Sequence, residues 1–114
     1  MESSLSEDQA PRIAFLNDAF RKTFVGGTVC ITAGLHLLGE DVVIEALRLV
    51  RLFDAFDEDN DPHREHDFGD VTVGARTMLW KIDYFDKAMT YGSDDPANPN
   101  VTHRVLTVML EEEY

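Results

Sequence analysis

The amino-acid sequence predicts an α+β protein: a small antiparallel sheet of three to four strands, with three helices packed mainly on one face. Three observations carry that expectation. Apolar residues recur at helical spacing in three separate stretches. Shorter runs that alternate or are rich in β-branched residues lie between them, bounded by glycine and aspartate. The chain, at 114 residues and 44% hydrophobic content, has the length of one ordinary domain and the apolar share of a globular one. Residues 1–9 are polar and are expected to fray. Residues 10–114 are expected to form the single domain.

The first helix is expected over 9–24. Pro11 suits its first turn, and Ile13, Leu16, Phe20 and Phe24 form an apolar stripe, with Arg12, Asp18, Arg21 and Lys22 placed elsewhere. Gly26-Gly27 ends it. Thr28 to Thr32 reads as a short strand, and Gly34 and Gly39 bracket a turn or short helical piece around Leu35 to Leu38. A second helix is expected over 40–53. Glu40, Asp41 and Glu45 near its start and Arg48 and Arg51 near its end complement the helix dipole. Its apolar positions Val43, Ile44, Leu47, Val50 and Phe53 predict the most buried helix. Val71 and Val73 then open a meander with a turn at Gly74-Ala75-Arg76. In the next strand Met78, Trp80, Ile82 and Tyr84 point one way, and Lys81 and Asp83 the other. Ala88 to Tyr91 is assigned as a further strand. The last helix is expected from Asn98, with Pro99 at its first position and Val101, Val105, Val108 and Met109 on its apolar face. Glu111, Glu112 and Glu113 would then crowd its C-terminal end, where the dipole disfavours them.

Charge restricts function. There are 22 acidic against 10 basic residues, a formal net charge of -12. Such a surface repels phosphate backbones and anionic lipid heads, so no direct nucleic-acid binding and no membrane binding are expected. Basic proteins and cations are the favoured partners. Acidity also confers solubility by itself. Cys30, the one cysteine, lies in a β-branched setting that reads as a buried thiol. The N-terminus lacks the basic and apolar regions of a signal peptide, and no apolar run approaches the roughly 20 residues of a membrane span. The expected location is cytoplasmic, as a monomer or homodimer.

The segment from Asp54 to Asp70 is the richest. Asp54, Asp57, Glu58, Asp59, Asp61, Glu65, Asp67 and Asp70 against Arg64 alone give 17 residues a formal charge of -7. An EF-hand reading fails, because Pro62 and Phe68 stand where the turn glycine and the bidentate glutamate belong. His63 and His66 with Asp61 or Asp67 are the candidate ligands of a zinc or iron site, at a permissive spacing. The competing reading is a pair of histidines that lock the loop by hydrogen bonds. A histidine general base lacks a recognisable nucleophile nearby, and Asp67-Phe68-Gly69 echoes the kinase triplet without any other kinase motif.

Several stretches together resemble one family. They are Leu16-Asn17-Asp18-Ala19-Phe20-Arg21, Thr32-Ala33-Gly34, Asp59 to Gly69, Trp80 to Tyr84, Gly92-Ser93 with Asp95-Pro96, and Thr102 to Leu110. The chain is similar from about residue 12 to Tyr114 to domain-of-unknown-function family 3768, small proteins of alphaproteobacteria and their mobile elements. That resemblance implies no activity, no cofactor and no catalytic residue. It implies a context in which small acidic proteins inhibit host defence, as anti-CRISPR or anti-restriction factors. The expected function is therefore a non-enzymatic acidic binding module that covers a basic nucleic-acid-binding protein or complex of the host, by DNA mimicry or steric masking. Asp54, Asp57, Glu58, Asp59, Asp61, Glu65, Asp67, Asp70, Glu111, Glu112 and Glu113 would carry the contact. The alternative is a metal-dependent enzyme or regulator built on Asp61, His63, His66 and Asp67.

Overall fold

Helix α1 (Gln9–Thr23) presents Ile13, Ala14, Asn17, Phe20 and Arg21 as its buried face in the computed structural model, which describes residues 9–114. The expectation of a frayed N-terminus falls almost wholly outside the described residues. The spacing of that face is helical, but two of its five members are polar. Arg21 thus lies on the core side and not with the solvated charges. Phe24 follows at φ 62° and Gly26 at φ 109°, which turns the chain into β1 (Gly27–Ile31).

A short helix α2 (Ala33–His36) is N-capped by Thr32, whose Oγ1 accepts from the Leu35 amide at 3.4 Å. Helix α3 (Glu40–Leu52) fully buries only Ala46 and Val50, and leaves Ile44 exposed. It is not the most buried helix: α1 buries more of its side chains. Residues 53–67 form the acidic loop. Strands β2 (Phe68–Val73) and β3 (Arg76–Phe85) make a hairpin whose first turn residue, Gly74, has φ +62°, as a tight hairpin turn requires. Strand β4 (His103–Leu110) and a 3₁₀ turn (Glu111–Glu113) complete the described chain.

The sheet runs β1-β4-β3-β2. β2 with β3 and β3 with β4 are antiparallel, whereas β1 runs parallel to β4, so the sheet is mixed and not wholly antiparallel. The predicted α+β class and the helices on one face are observed. The last helix is not: residues 103–110 are a strand. Flanked by β1 and β3, β4 buries Arg104, Leu106, Val108 and Leu110 toward the helices, while Val105 and Met109 are buried on the opposite face. A central strand apolar on both faces loses its period of two, and its apolar positions then imitate a helical stripe. Residues 88–91 form a turn and not a strand, with Met89 at φ 60° and an isolated bridge between Phe85 and Gly92. Cys30 is exposed and not buried, because it points away from the helices on a strand at the sheet edge.

The core joins Phe20, Leu35, Ala46 and Val50 from the helices to Met78, Trp80, Ile82, Leu106 and Val108 from the sheet. Met78, Trp80 and Ile82 are buried, and Lys81 and Asp83 are half-buried on the other face, as the alternation in β3 predicts. Gly69 pairs with Trp80 across the hairpin. A Cβ there would lie 2.7 Å from Trp80 Nε1 and 2.9 Å from Phe53 Cζ. Close approach to the indole therefore accounts for the glycine of Asp67-Phe68-Gly69.

Candidate functional site: an acidic loop clamped to the first helix

The acidic loop begins where α3 ends, and aromatic rings seat it. Phe53 and Phe56 meet edge-on at 4.9 Å between centroids, and both pack edge-on against Trp80, at 5.5 and 6.1 Å. Arg21 lies beneath them with its guanidinium 5.5 Å from the Phe56 ring and 5.2 Å from Trp80. It donates to the Val50 carbonyl at 2.9 Å, which also accepts from the Phe53 amide at 3.3 Å, and so reinforces the C-terminal end of α3. Its other terminal nitrogen donates to Asp18 at 2.8 Å.

His66 is the centre of the clamp. Its ring stacks on Phe56 at 3.9 Å with 2° between the planes. Nδ1 faces Asp18 at 3.0 Å, and Nε2 faces Asp61 at 3.7 Å. Asp61 is buried, and its Oδ1 accepts from the Glu65 and His66 amides, both at 3.1 Å. These two bonds span a backbone with Arg64 and His66 both at φ 58°. Non-glycine residues adopt that region only when their surroundings hold them there.

A second set of bonds fixes the far end of the loop. Asn17 donates to the Glu65 carbonyl at 2.9 Å and to the Tyr84 hydroxyl at 2.8 Å. Tyr84 in turn donates to the Glu65 carboxylate at 2.9 Å. Arg104 donates to Asn17 Oδ1 and to the Pro96 carbonyl, each at 2.6 Å, and stacks over Tyr84. Burial holds the Tyr84 phenol well above its ordinary pKa, with the charges of Glu65 and Asp67 adding to the effect. Burial also draws the Arg104 guanidinium below its ordinary value. Asp67 is raised chiefly by burial, then by the neighbouring Glu65 charge.

The loop tip is rigid by its own bonds. Asp57 Oδ1 accepts from the amides of Asp59 and Asn60 at 2.9 and 3.0 Å. Asn60 Oδ1 accepts from the Asp57 amide at 3.0 Å, and its Nδ2 donates to the Ala55 carbonyl at 2.9 Å. The side chains of Asp57, Glu58 and Asp59 are left exposed, as are those of Asp54 and Asp70.

The acids named from sequence therefore divide. Asp54, Asp57, Glu58, Asp59 and Asp70 are surface groups. Asp61 is an internal anchor, and Glu65 and Asp67 are half-buried. Glu111 and Glu112 are exposed, with Glu112 paired to Arg76 at 2.9 Å. Glu113 is engaged within the chain. It accepts from Thr32 Oγ1 at 2.6 Å, the Leu110 amide at 2.9 Å and the Gly34 amide at 3.0 Å, and these bonds hold its carboxyl below the usual range. The unfavourable helix dipole expected at this tail does not arise, because the segment is a strand followed by a 3₁₀ turn.

The proposed metal ligands separate as well. Asp61 and His66 line one hollow, while His63 and Asp67 line another beside Phe68 and Tyr114. Among the described residues, no three His, Cys, Asp or Glu side chains are grouped so as to hold a metal ion. Neither is any serine, threonine or cysteine side chain hydrogen-bonded to His66 among them. Of the two histidines expected to lock the loop by hydrogen bonds, only His66 is so bonded among the described residues, and His63 is exposed.

Sequence reasoning passed over Asn17, Asp18, Arg21, Tyr84 and Arg104 as functional groups. A signal was present: Asn17 and Arg21 share a helical face with Ile13 and Phe20, where an unsolvated polar side chain needs partners. A family described as "Protein of unknown function (DUF3768)" matches residues 31–113. The chain belongs to this family. The match includes the loop, the hairpin and β4, whereas the α1 residues that clamp the loop precede it. No curated protein and no solved structure matches the chain. No helix among the described residues is long and apolar enough to cross a membrane.

Proposed function

We propose that the protein is a non-enzymatic acidic binding module that docks its loop on a basic, nucleic-acid-binding surface of a partner protein. Masking such a surface is how a mobile-element inhibitor of a host defence complex would act. The observation that carries the reading is the fixed tip: Asp57, Glu58 and Asp59 are exposed while their backbone is locked by bonds to the side chains of Asp57 and Asn60 and by the Asp61 amide, which donates to the Asp57 carbonyl. An array of carboxylates held before contact loses little conformational freedom on binding, and so retains more of its electrostatic gain. A net charge of -12 adds long-range steering toward a cationic groove.

The test separates surface acids from the anchor. Tagged protein is used to capture partners from host lysate at low and high salt, and the retained complex is then measured with purified components. Glu58→Lys and Asp59→Lys together, which leave the tip-locking carboxylate of Asp57 in place, should weaken binding at least about tenfold, mainly through slower association. Duplex DNA should compete for the same partner surface. Unchanged affinity in the double variant, or indifference to salt and DNA, would exclude the loop from the contact.

A further inference from the structure

The cations of this acidic chain are unevenly employed. Arg21 and Arg104 are buried in the network, Arg76 faces Glu112 at 2.9 Å, and Lys81 faces Asp83 at 2.7 Å. Lys22, Arg48 and Arg51 instead converge on an open cleft of about 570 Å³, walled also by Leu52, Phe53 and Asp54. That volume suits a small molecule.

Arg51 is held ready. Its Nε donates to the Lys22 carbonyl at 3.3 Å, and its guanidinium carbon lies 5.4 Å from the centre of the Phe24 ring. Both terminal nitrogens are without a hydrogen-bond partner among the described residues. A guanidinium fixed along one edge and one face presents a planar fork of donors, the shape that pairs with a tetrahedral oxyanion. Arg48 contributes charge more than donors, since Glu45 accepts from its Nε at 2.9 Å and from Nη2 at 2.8 Å. Neutralising the C-terminal end of α3 does not explain Arg51, because Arg21 already donates to the Val50 and Arg51 carbonyls there. Leu52, well exposed beside these groups, supplies an apolar wall.

We propose that this cleft binds the phosphate group of a small phosphorylated ligand, with Arg51 as bidentate donor, Lys22 as second charge and Leu52 against the body of the ligand. The negative field of the rest of the surface is screened beyond about 8 Å at physiological salt, whereas the fork acts at hydrogen-bond distance. Of the acidic loop only its first residues, Phe53 and Asp54, reach the cleft, and the proposed donors Lys22 and Arg51 lie outside the loop, so the proposal stands independently of the loop's role.

The test is an NMR titration of the full chain at constant ionic strength, with inorganic phosphate in one arm and adenosine monophosphate in the other. Saturable shifts at Lys22, Arg51 and Phe53 are expected, with affinity of about millimolar order for phosphate. Tighter binding of the nucleotide assigns a role to the Leu52 wall, and equal binding assigns the site to phosphate alone. Arg51→Lys keeps the charge but removes the fork, and should weaken binding about tenfold with the rest of the spectrum unchanged. Lys22→Ala, at an exposed position, should weaken it independently. No saturable shift with either anion, shifts centred away from this cleft, or full affinity in both variants would overturn the proposal.

Discussion

Replacing Asp61 by alanine tests whether the acidic loop is an anchored structure. Asp61 is an acid that is buried, and its carboxylate accepts two amide hydrogen bonds at 3.1 Å. A hydrogen bond to a charged acceptor contributes about 1.5 kcal/mol net, so the pair contributes about 3 kcal/mol. Arg64 and His66, both at φ 58°, store about 1 kcal/mol each that relaxes in part once the anchor is gone. The expected net loss for Asp61→Ala is therefore about 2 kcal/mol. In urea, with a slope of about 1.5 kcal/mol/M for a domain of this size, the midpoint should fall by somewhat more than 1 M. Asp61→Asn retains an oxygen acceptor and should lose about half as much. Asp59→Asn, at an exposed tip position, should change stability by less than about 0.5 kcal/mol. A midpoint for Asp61→Ala within error of the wild type would refute the anchor. Equal losses for Asp59→Asn and Asp61→Ala would refute the division of the loop into surface and internal acids.

Three further outcomes follow from the same geometry. The Asp67 carboxyl is raised in the folded state, chiefly by burial, so its ionised form subtracts stability at neutral pH and the penalty fades as pH falls through the raised value. Asp67→Asn should raise the melting temperature at pH 7 and leave it unchanged in strong acid; an unchanged melting temperature at pH 7 would contradict the assignment. Glu113 is lowered, first by its bond from Thr32 and then by the Leu110 and Gly34 amides, so its contribution is present above the usual carboxyl range and lost as pH falls through the lowered value. Glu113→Gln should flatten that acid limb of a melting-temperature profile, and an identical limb would show that the tail is not held by this carboxylate. Gly69→Ala places a methyl against Trp80 and Phe53 and should cost about 1–3 kcal/mol by chemical denaturation, with a change in tryptophan fluorescence.

Much of the fold was legible because it depends on local pattern. The alternation of Met78, Trp80 and Ile82 with Lys81 and Asp83 gave β3 its two faces, and Ile13 and Phe20 marked the inward side of α1. β4 was illegible for a physical reason. Its position between two strands buries Val105 and Met109 as well as Leu106 and Val108, which erases the alternation that identifies a half-exposed strand. The site was half legible. Acidity located the loop, but no count of charge distinguishes Asp61, turned inward onto two amides, from Asp59, turned outward. Nor does local pattern reveal that Asp18, on the first helix, meets His66. That contact is tertiary, and it decides the histidine's task.

The parallel pairing of β1 with β4 has a consequence for how the chain acquires its shape. Val29 aligns with Leu106, so an edge of the sheet is completed only by segments far apart in the sequence. The β2–β3 hairpin, by contrast, closes through a two-residue turn. Loop-closure entropy favours the hairpin early and delays the distant pair. On a ribosome, β1 would wait with one strand edge uncovered until β4 had been synthesised. The Thr32 amide, which donates to the Val108 carbonyl at 3.2 Å only once the two segments have joined, offers a natural reporter: its protection in pulsed hydrogen exchange during refolding would time the last strand to join.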